Sequence, residues 1–213
     1  MSSSIKTLAP GRREVNRKNN RDAILDAARD AFAAIGYGGT TVRDIIRRTN
    51  LASGTFYNYF DSKEAVFNAL SEEIGSELRH LLRDVRRRAT SFDSFIEDMF
   101  YTYFSYYANN RENYLLARSN RGRDGLNEVM QGPQVRAGLA ELNDDIHKAI
   151  AEGVIPPLDV DFLTASLGGV AFSILDEMME RAPLDPEAAA QFATRLFKAG
   201  VQGTYIGDDV NDG

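Results

Sequence analysis

The chain has 213 residues with 43% hydrophobic and 26% charged, enough for one or two domains with an ample core. It has no cysteine and two histidines, which excludes disulfides, thiolate metal sites and cysteine nucleophiles. The net charge of −6 is unevenly spread: residues 1–66 carry 11 Lys and Arg against 7 Asp and Glu, whereas residues 67–213 carry 14 against 24.

Residues 1–18 hold turn formers and few apolar anchors, and are predicted to be a disordered basic arm built around Arg12, Arg13, Arg17 and Lys18. From about Asn19 the residues Leu25, Ala28, Phe32 and Ile35 recur on one helical stripe, and Gly36 follows as a left-handed C-terminal cap. Thr41 is predicted to cap a second helix, with Asp44 completing a capping box one methylene shorter than usual. Val42, Ile45 and Thr49 form its inner face, and Arg43, Arg47 and Arg48 point elsewhere. Asn50-Leu51-Ala52 is the turn, and Ser53 is expected to cap a third helix over about Gly54–Tyr59.

That third helix is anchored by Phe56 and Phe60 and carries Thr55, Tyr57, Asn58 and Tyr59. The pattern reads as a DNA-binding helix-turn-helix. A short helix set end-on to the major groove can place its first turn against base edges. Gly54 would let the backbone approach the duplex. Hydroxyls of Tyr57 and Tyr59 suit phosphates, and Asn58 suits a base edge. Lys63 stands in the first turn of the next helix, an unfavourable place for a cation unless it faces a phosphate. A basic head on an acidic body is oriented by a polyanion, because the body is repelled while the head neutralises phosphates.

Residues 20–66 resemble the N-terminal domain of the tetracycline-repressor (TetR) family of bacterial transcriptional regulators. The likeness runs from Ile24-Leu25-Asp26-Ala27-Ala28 and Phe32-Ala33-Ala34-Ile35-Gly36-Tyr37 through Thr40-Thr41-Val42-Arg43-Asp44-Ile45. It continues in Ser53-Gly54-Thr55-Phe56-Tyr57-Asn58-Tyr59-Phe60 and Ser62-Lys63-Glu64-Ala65-Val66. Ile46 departs from it, standing where the family often has Ala. The resemblance implies base contacts from Arg43 and Thr55, and phosphate contacts from Thr41, Tyr57, Tyr59 and Lys63. The DNA-facing set is therefore Thr41, Arg43, Ser53, Gly54, Thr55, Tyr57, Asn58, Tyr59 and Lys63.

Further along, a long helix is predicted from about Ser62 toward Arg88, with Val66, Phe67, Leu70, Ile74, Leu78, Leu81 and Val85 as its stripe. Phe92 to Ala108 is aromatic-rich, with Phe95, Met99, Phe100, Tyr103, Phe104 and Tyr107 at helical spacing. An aromatic stripe is ordinarily plain core, yet Tyr101, Tyr103, Tyr106 and Tyr107 each want a hydrogen-bond partner if buried. That suits a pocket with a few polar points. Arg118, Arg121 and Arg123 flank a glycine-containing loop, and are either paired with local acids or placed to hold an anionic effector such as a carboxylate or acyl thioester. The candidate effector residues are Phe100, Tyr103, Tyr107, Arg118 and Phe172.

A helix marked by Leu139, Leu142, Ile146 and Ile150 closes at Gly153 and Pro156-Pro157. Another runs from Asp161 to about Met179, interrupted by Gly168-Gly169. Asp185-Pro186-Glu187 starts the last, which runs to about Tyr205. Small and apolar residues on these two helices suit either intramolecular packing or a subunit interface: Phe162, Gly168, Gly169, Phe192, Leu196, Gly200 and Gly203. The resemblance implies the latter, a homodimer formed by a four-helix bundle.

The expected architecture is all-α: an arm (1–18), a three-helix helix-turn-helix domain (19–66) and a helical ligand-binding and dimerisation domain (67–213), about nine helices in total. The expected role is a homodimeric repressor released from a palindromic DNA operator by a small-molecule effector, with no cofactor and no metal. No segment approaches 18 consecutive apolar residues, so a cytoplasmic protein without a membrane partner is expected. Two other readings are a regulator bound to DNA constitutively and a helical enzyme. The enzyme would have to use Asp144-Asp145 near His147, or Asp176-Glu177, as acid–base groups.

Overall fold

The computed structural model describes residues 11–119 and 132–201. Among them the regular secondary structure is all helical, in nine helices. They are α1 (Arg12–Ile35), α2 (Val42–Ile46), α3 (Ser53–Tyr57), α4 (Lys63–Arg88), α5 (Phe92–Asn109), α6 (Arg111–Ser119), α7 (Pro133–Ala151), α8 (Val160–Met179) and α9 (Pro186–Val201). The chain divides into two compact units, Met1–Ser71 and Glu72–Gly213, with the division inside α4.

In the first unit α1 packs on α2 and α2 on α3, and Ile24, Leu25, Ala28 and Phe32 of α1, Ile45 of α2 and Phe56 of α3 are buried. The first turns of α4 add Val66, Phe67 and Leu70. Phe67 meets the rings of Phe32 and Tyr37 at 5.9 and 4.8 Å, which is why this part of α4 belongs with the head. Helix α1 begins at Arg12 rather than near Asn19, so part of the expected arm is helical. Arg12–Lys18 are all exposed, and their Arg, Glu and Lys side chains favour helix without needing a buried face.

In the second unit α5 packs on α6, α8 and α9, and α7 and α9 both lie against α8. Phe100 and Phe197 join α5 to α9 with rings 5.6 Å apart. Asp159 caps α8 by accepting from Phe162 N at 2.9 Å, and Asp185 caps α9 by accepting from Ala188 N at 2.8 Å, with Pro186 at its first position. Gly153, beyond α7, takes a φ of 72°, a left-handed conformation open to glycine. Helix α8 is long and apolar enough, with mean hydropathy 1.3, to cross a bilayer by length and composition. It buries Leu163, Leu167, Phe172 and Leu175 in the unit while leaving Phe162 75% exposed.

Candidate functional site

The head is built by short-range chemistry. Thr41 accepts from Asp44 N at 3.2 Å while Asp44 Oδ2 accepts from Thr41 N at 2.9 Å, so the shortened capping box forms. The Thr41 hydroxyl, which donates to Asp44 Oδ2 at 2.5 Å, and then the Thr41 N–H hold the Asp44 carboxyl below its ordinary range. Behind it, buried Thr40 donates to Gly36 O at 2.7 Å and Ala31 O at 3.3 Å. Gly36 has the expected positive φ of 81°, but a ψ of 156° turns the chain into extended backbone instead of a left-handed cap.

Two expectations about α3 are corrected. Ala52, in extended geometry, is its N-cap with no side-chain bond, and Ser53 is the first helical residue with its side chain exposed. The helix ends at Tyr57, so Asn58 and Tyr59 lie on the turn after it.

What remains outward is a specific set. Arg43, Ser53, Gly54, Tyr57 and Asn58 are exposed, and Tyr57 is 57% exposed although it is a large ring. A Cβ added at Gly54 would meet nothing within 4 Å, and its φ is ordinary. The fold therefore has no internal need for glycine there. Thr55 and Tyr59 are half-buried, and Tyr59 OH accepts from Asn20 Nδ2 at 3.4 Å.

Lys63, expected to face a phosphate, is also engaged inside the head. Its Nζ donates to Tyr37 O at 2.7 Å and Thr40 O at 2.8 Å, and lies 4.5 Å from the centre of the Tyr37 ring. The ammonium ties the α1–α2 connection to α4. Two carbonyls offset its unfavourable place at a helix start.

The second unit contains a cavity of about 190 Å³ between α4, α5, α6, α7 and α8. Phe100, Tyr103, Tyr107 and Phe172 all line it, so four of the five candidate effector residues come together. Arg118 does not. It is half exposed, ion-paired to Glu180, and donates to Tyr114 OH at 3.1 Å. Glu180, one residue past the end of α8, lies within its reach, so its charge is satisfied away from the cavity. Arg121 and Arg123 lie outside the described residues. Tyr106 also faces elsewhere: it donates to Glu77 at 2.9 Å and accepts from Asn113 at 3.0 Å. Burial, reinforced by the Glu77 carboxylate, pushes its phenol well above the ordinary value. Sequence reasoning missed Gly75, Arg79, Gln134 and Gly138, which also line the cavity.

Of the residues expected at a subunit interface, Phe162 (75%), Phe192 (56%) and Leu196 (48%) are exposed. Gly169 and Gly200 face open space. Gly168 lines the cavity. Gly203 lies outside the described residues. Three of the four carboxylates weighed for acid–base work have structural partners. Asp145 holds Arg86, Asp176 accepts from Tyr114 and Glu177 pairs with Arg181; His80 and His147 are exposed.

Residues 24–70 match the family described as bacterial regulatory proteins, tetR family. The chain is 30% identical over 142 residues to an uncharacterized HTH-type transcriptional regulator in the lacX 3' region of Lactococcus lactis subsp. lactis, covering 65% of this chain and 70% of that one. It is 26% identical over 197 residues to the HTH-type transcriptional repressor DhaR of Mycobacterium sp. (strain GP1), covering 84% and 91%. The fold matches the crystal structure of the transcriptional regulator FadR from Bacillus subtilis in complex with stearoyl-CoA. That likeness has a TM-score of 0.68 and 22% identity, over 84% of this chain and 98% of that one.

Proposed function

The chain belongs to the tetR family of bacterial regulatory proteins, DNA-binding transcriptional regulators rather than enzymes, and from that premise we propose a homodimeric repressor that a small apolar effector releases from its operator. The observation that carries the DNA-reading surface is the outward face of α3, with Tyr57 exposed and Gly54 serving no internal contact. Arg43, Thr55 and Asn58 are proposed to meet base edges. Thr41, Ser53, Tyr57 and Tyr59 would meet phosphates. Lys63 holds the frame, with one remaining N–H for a phosphate.

Dimerisation is supported by the apolar residues left outside on adjacent helices: Phe162 on α8, and Phe192 and Leu196 one turn apart on α9. Side chains of this size are normally covered in a stable assembly. Two heads would then read half-sites about 34–36 Å apart, or a multiple of one helical turn, on a roughly palindromic operator. Such a regulator works where the chromosome is, so we assign it to the cytoplasm.

An effector is supported by the cavity, whose walls are largely apolar side chains. The regulator solved with stearoyl-CoA shares the fold and supports a ligand with a long apolar portion. Occupancy of the cavity would favour one separation of the heads, by an amount set by the ligand's differential affinity for the two states. The test is gel retardation of the protein's own promoter region, with and without acyl ligands. Retardation that falls with rising salt and with ligand is expected. Retardation unaffected by any apolar ligand would favour the constitutive regulator.

A further inference from the structure

Helices α4 and α7 run side by side in the same direction, and their facing residues form a ladder. At its far end Arg83 donates to Glu141 at 2.6 Å, and Arg86 donates to Glu141 at 2.9 Å and Asp145 at 2.5 Å. Those two arginines are answered by two carboxylates. One turn earlier the pattern breaks. Arg79 lies opposite Gly138, whose Cβ position would be 3.5 and 3.7 Å from its Cγ and Cδ. A further turn back, Gly75 accommodates Gln134, whose Cβ would be 2.5 Å from any Cβ placed on the glycine. Each glycine seats the long polar side chain of the opposite helix, so both side chains are held by backbone shape.

Both also line the cavity, and both have an unanswered atom there. Arg79 Nε and Gln134 Oε1 are buried and have no hydrogen-bond partner. Among the described residues no carboxylate pairs with Arg79. Buried polar atoms in a folded protein are nearly always satisfied, so a pair left open in one cavity needs a reason. Arg79 is half-buried, and its buried Nε–H without an acceptor is a preorganised place for an anion.

We propose that Arg79 and Gln134 are the head-group anchor of the cavity and that its ligand is an apolar carboxylic acid bound as the carboxylate. One oxygen accepts from Arg79 Nε. The other accepts from the Gln134 amide, whose Nε2 replaces Oε1 on rotation of the planar group. The remaining wall, with Leu82, Met99, Phe100, Leu139, Phe172 and Leu175, takes an apolar body. Among the described residues that line the cavity, a single uncommitted cation suits a head group with a single charge. A coenzyme A thioester offers this corner only a neutral carbonyl, and its phosphates need further cations. The other arginine of the cavity, Arg86, is already held by Glu141 and Asp145.

This assignment rests on the reading that the cavity takes an effector, and calorimetric titration of the full chain separates the two. The probes are dodecanoate, dodecan-1-ol and dodecanoyl-CoA, against the wild type, Arg79→Met and Gln134→Leu. Dodecanoate is expected to bind the wild type roughly tenfold or more tightly than the alcohol. Arg79→Met should erase that preference while leaving alcohol binding in place, and its unliganded melting temperature should not fall. Gln134→Leu should reduce the preference partially, which keeps the test open if the arginine variant misfolds. Equal binding of acid and alcohol, an undiminished preference in Arg79→Met, or dodecanoyl-CoA binding more tightly than dodecanoate would overturn the head-group assignment alone. If none of the three probes bound the wild type, the apolar-effector reading would fall with it.

Discussion

The head and the body use aromatic side chains in opposite ways. In the head, Phe56 is 1% exposed and its neighbour Tyr57 is 57% exposed, so adjacent positions on one short helix divide between holding the fold and facing outward. In the body, Phe100, Tyr103, Tyr107 and Phe172 face inward yet leave a cavity between them. The first arrangement presents a surface and the second presents a space. A surface is specified by which residues have no internal partner; a space is specified by which partners fail to meet.

The sharpest way to break the comparison is at positions 56 and 57. Phe56→Ala should destabilise the protein by about 3–5 kcal/mol, seen in chemical denaturation. Tyr57→Ala should leave stability within about 0.5 kcal/mol, as surface changes do, and weaken DNA binding about equally across sequences. If Tyr57→Ala unfolded the protein, the outward face would be part of the core after all. Next in size is Lys63→Met, which removes two charge-assisted hydrogen bonds to carbonyls and should cost about 1.5–3 kcal/mol. Unchanged stability with a shallower salt dependence of DNA binding would return Lys63 to a purely phosphate-facing role.

The smallest effect belongs to the body. Glu141 is partly buried, which pushes its carboxyl upward, but hydrogen bonds and charge from Arg83 and Arg86 outweigh this and hold it below the ordinary range. A depressed carboxylate contributes stability above its unfolded value, and loses that contribution as pH falls through the folded value. Thermal melts from neutral toward acid pH should therefore show a modest extra loss in the wild type that Glu141→Gln lacks. Identical pH dependence in both would mean that the ladder of α4 and α7 is not electrostatically held.

The head was legible in the sequence because its determinants are local. The Thr41–Asp44 box, the Leu25–Phe32 stripe and the Phe56–Phe60 anchors each lie within one or two turns of chain. It misled where local rules have two solutions: Ser53 is a good cap, but extended geometry at Ala52 takes the cap one residue earlier. The body's helices were legible from their stripes, and its aromatic cavity wall from hydroxyls in need of partners. Its polar corner was not, because it depends on Gly75 meeting Gln134 and Gly138 meeting Arg79 across two helices distant in sequence. The same blindness made Arg118, beside a conspicuous loop, look like the anion holder, although Glu180 had already taken its charge.

Two copies of the short helix at Ser53–Tyr57 are proposed to read one face of the duplex together. Hydroxyl-radical footprinting on the protein's own promoter region tests it most directly. Two protected stretches are expected on one face, their centres separated by about 10–10.5 base pairs or a multiple of that spacing. A single protected stretch, or none at low salt, would contradict it.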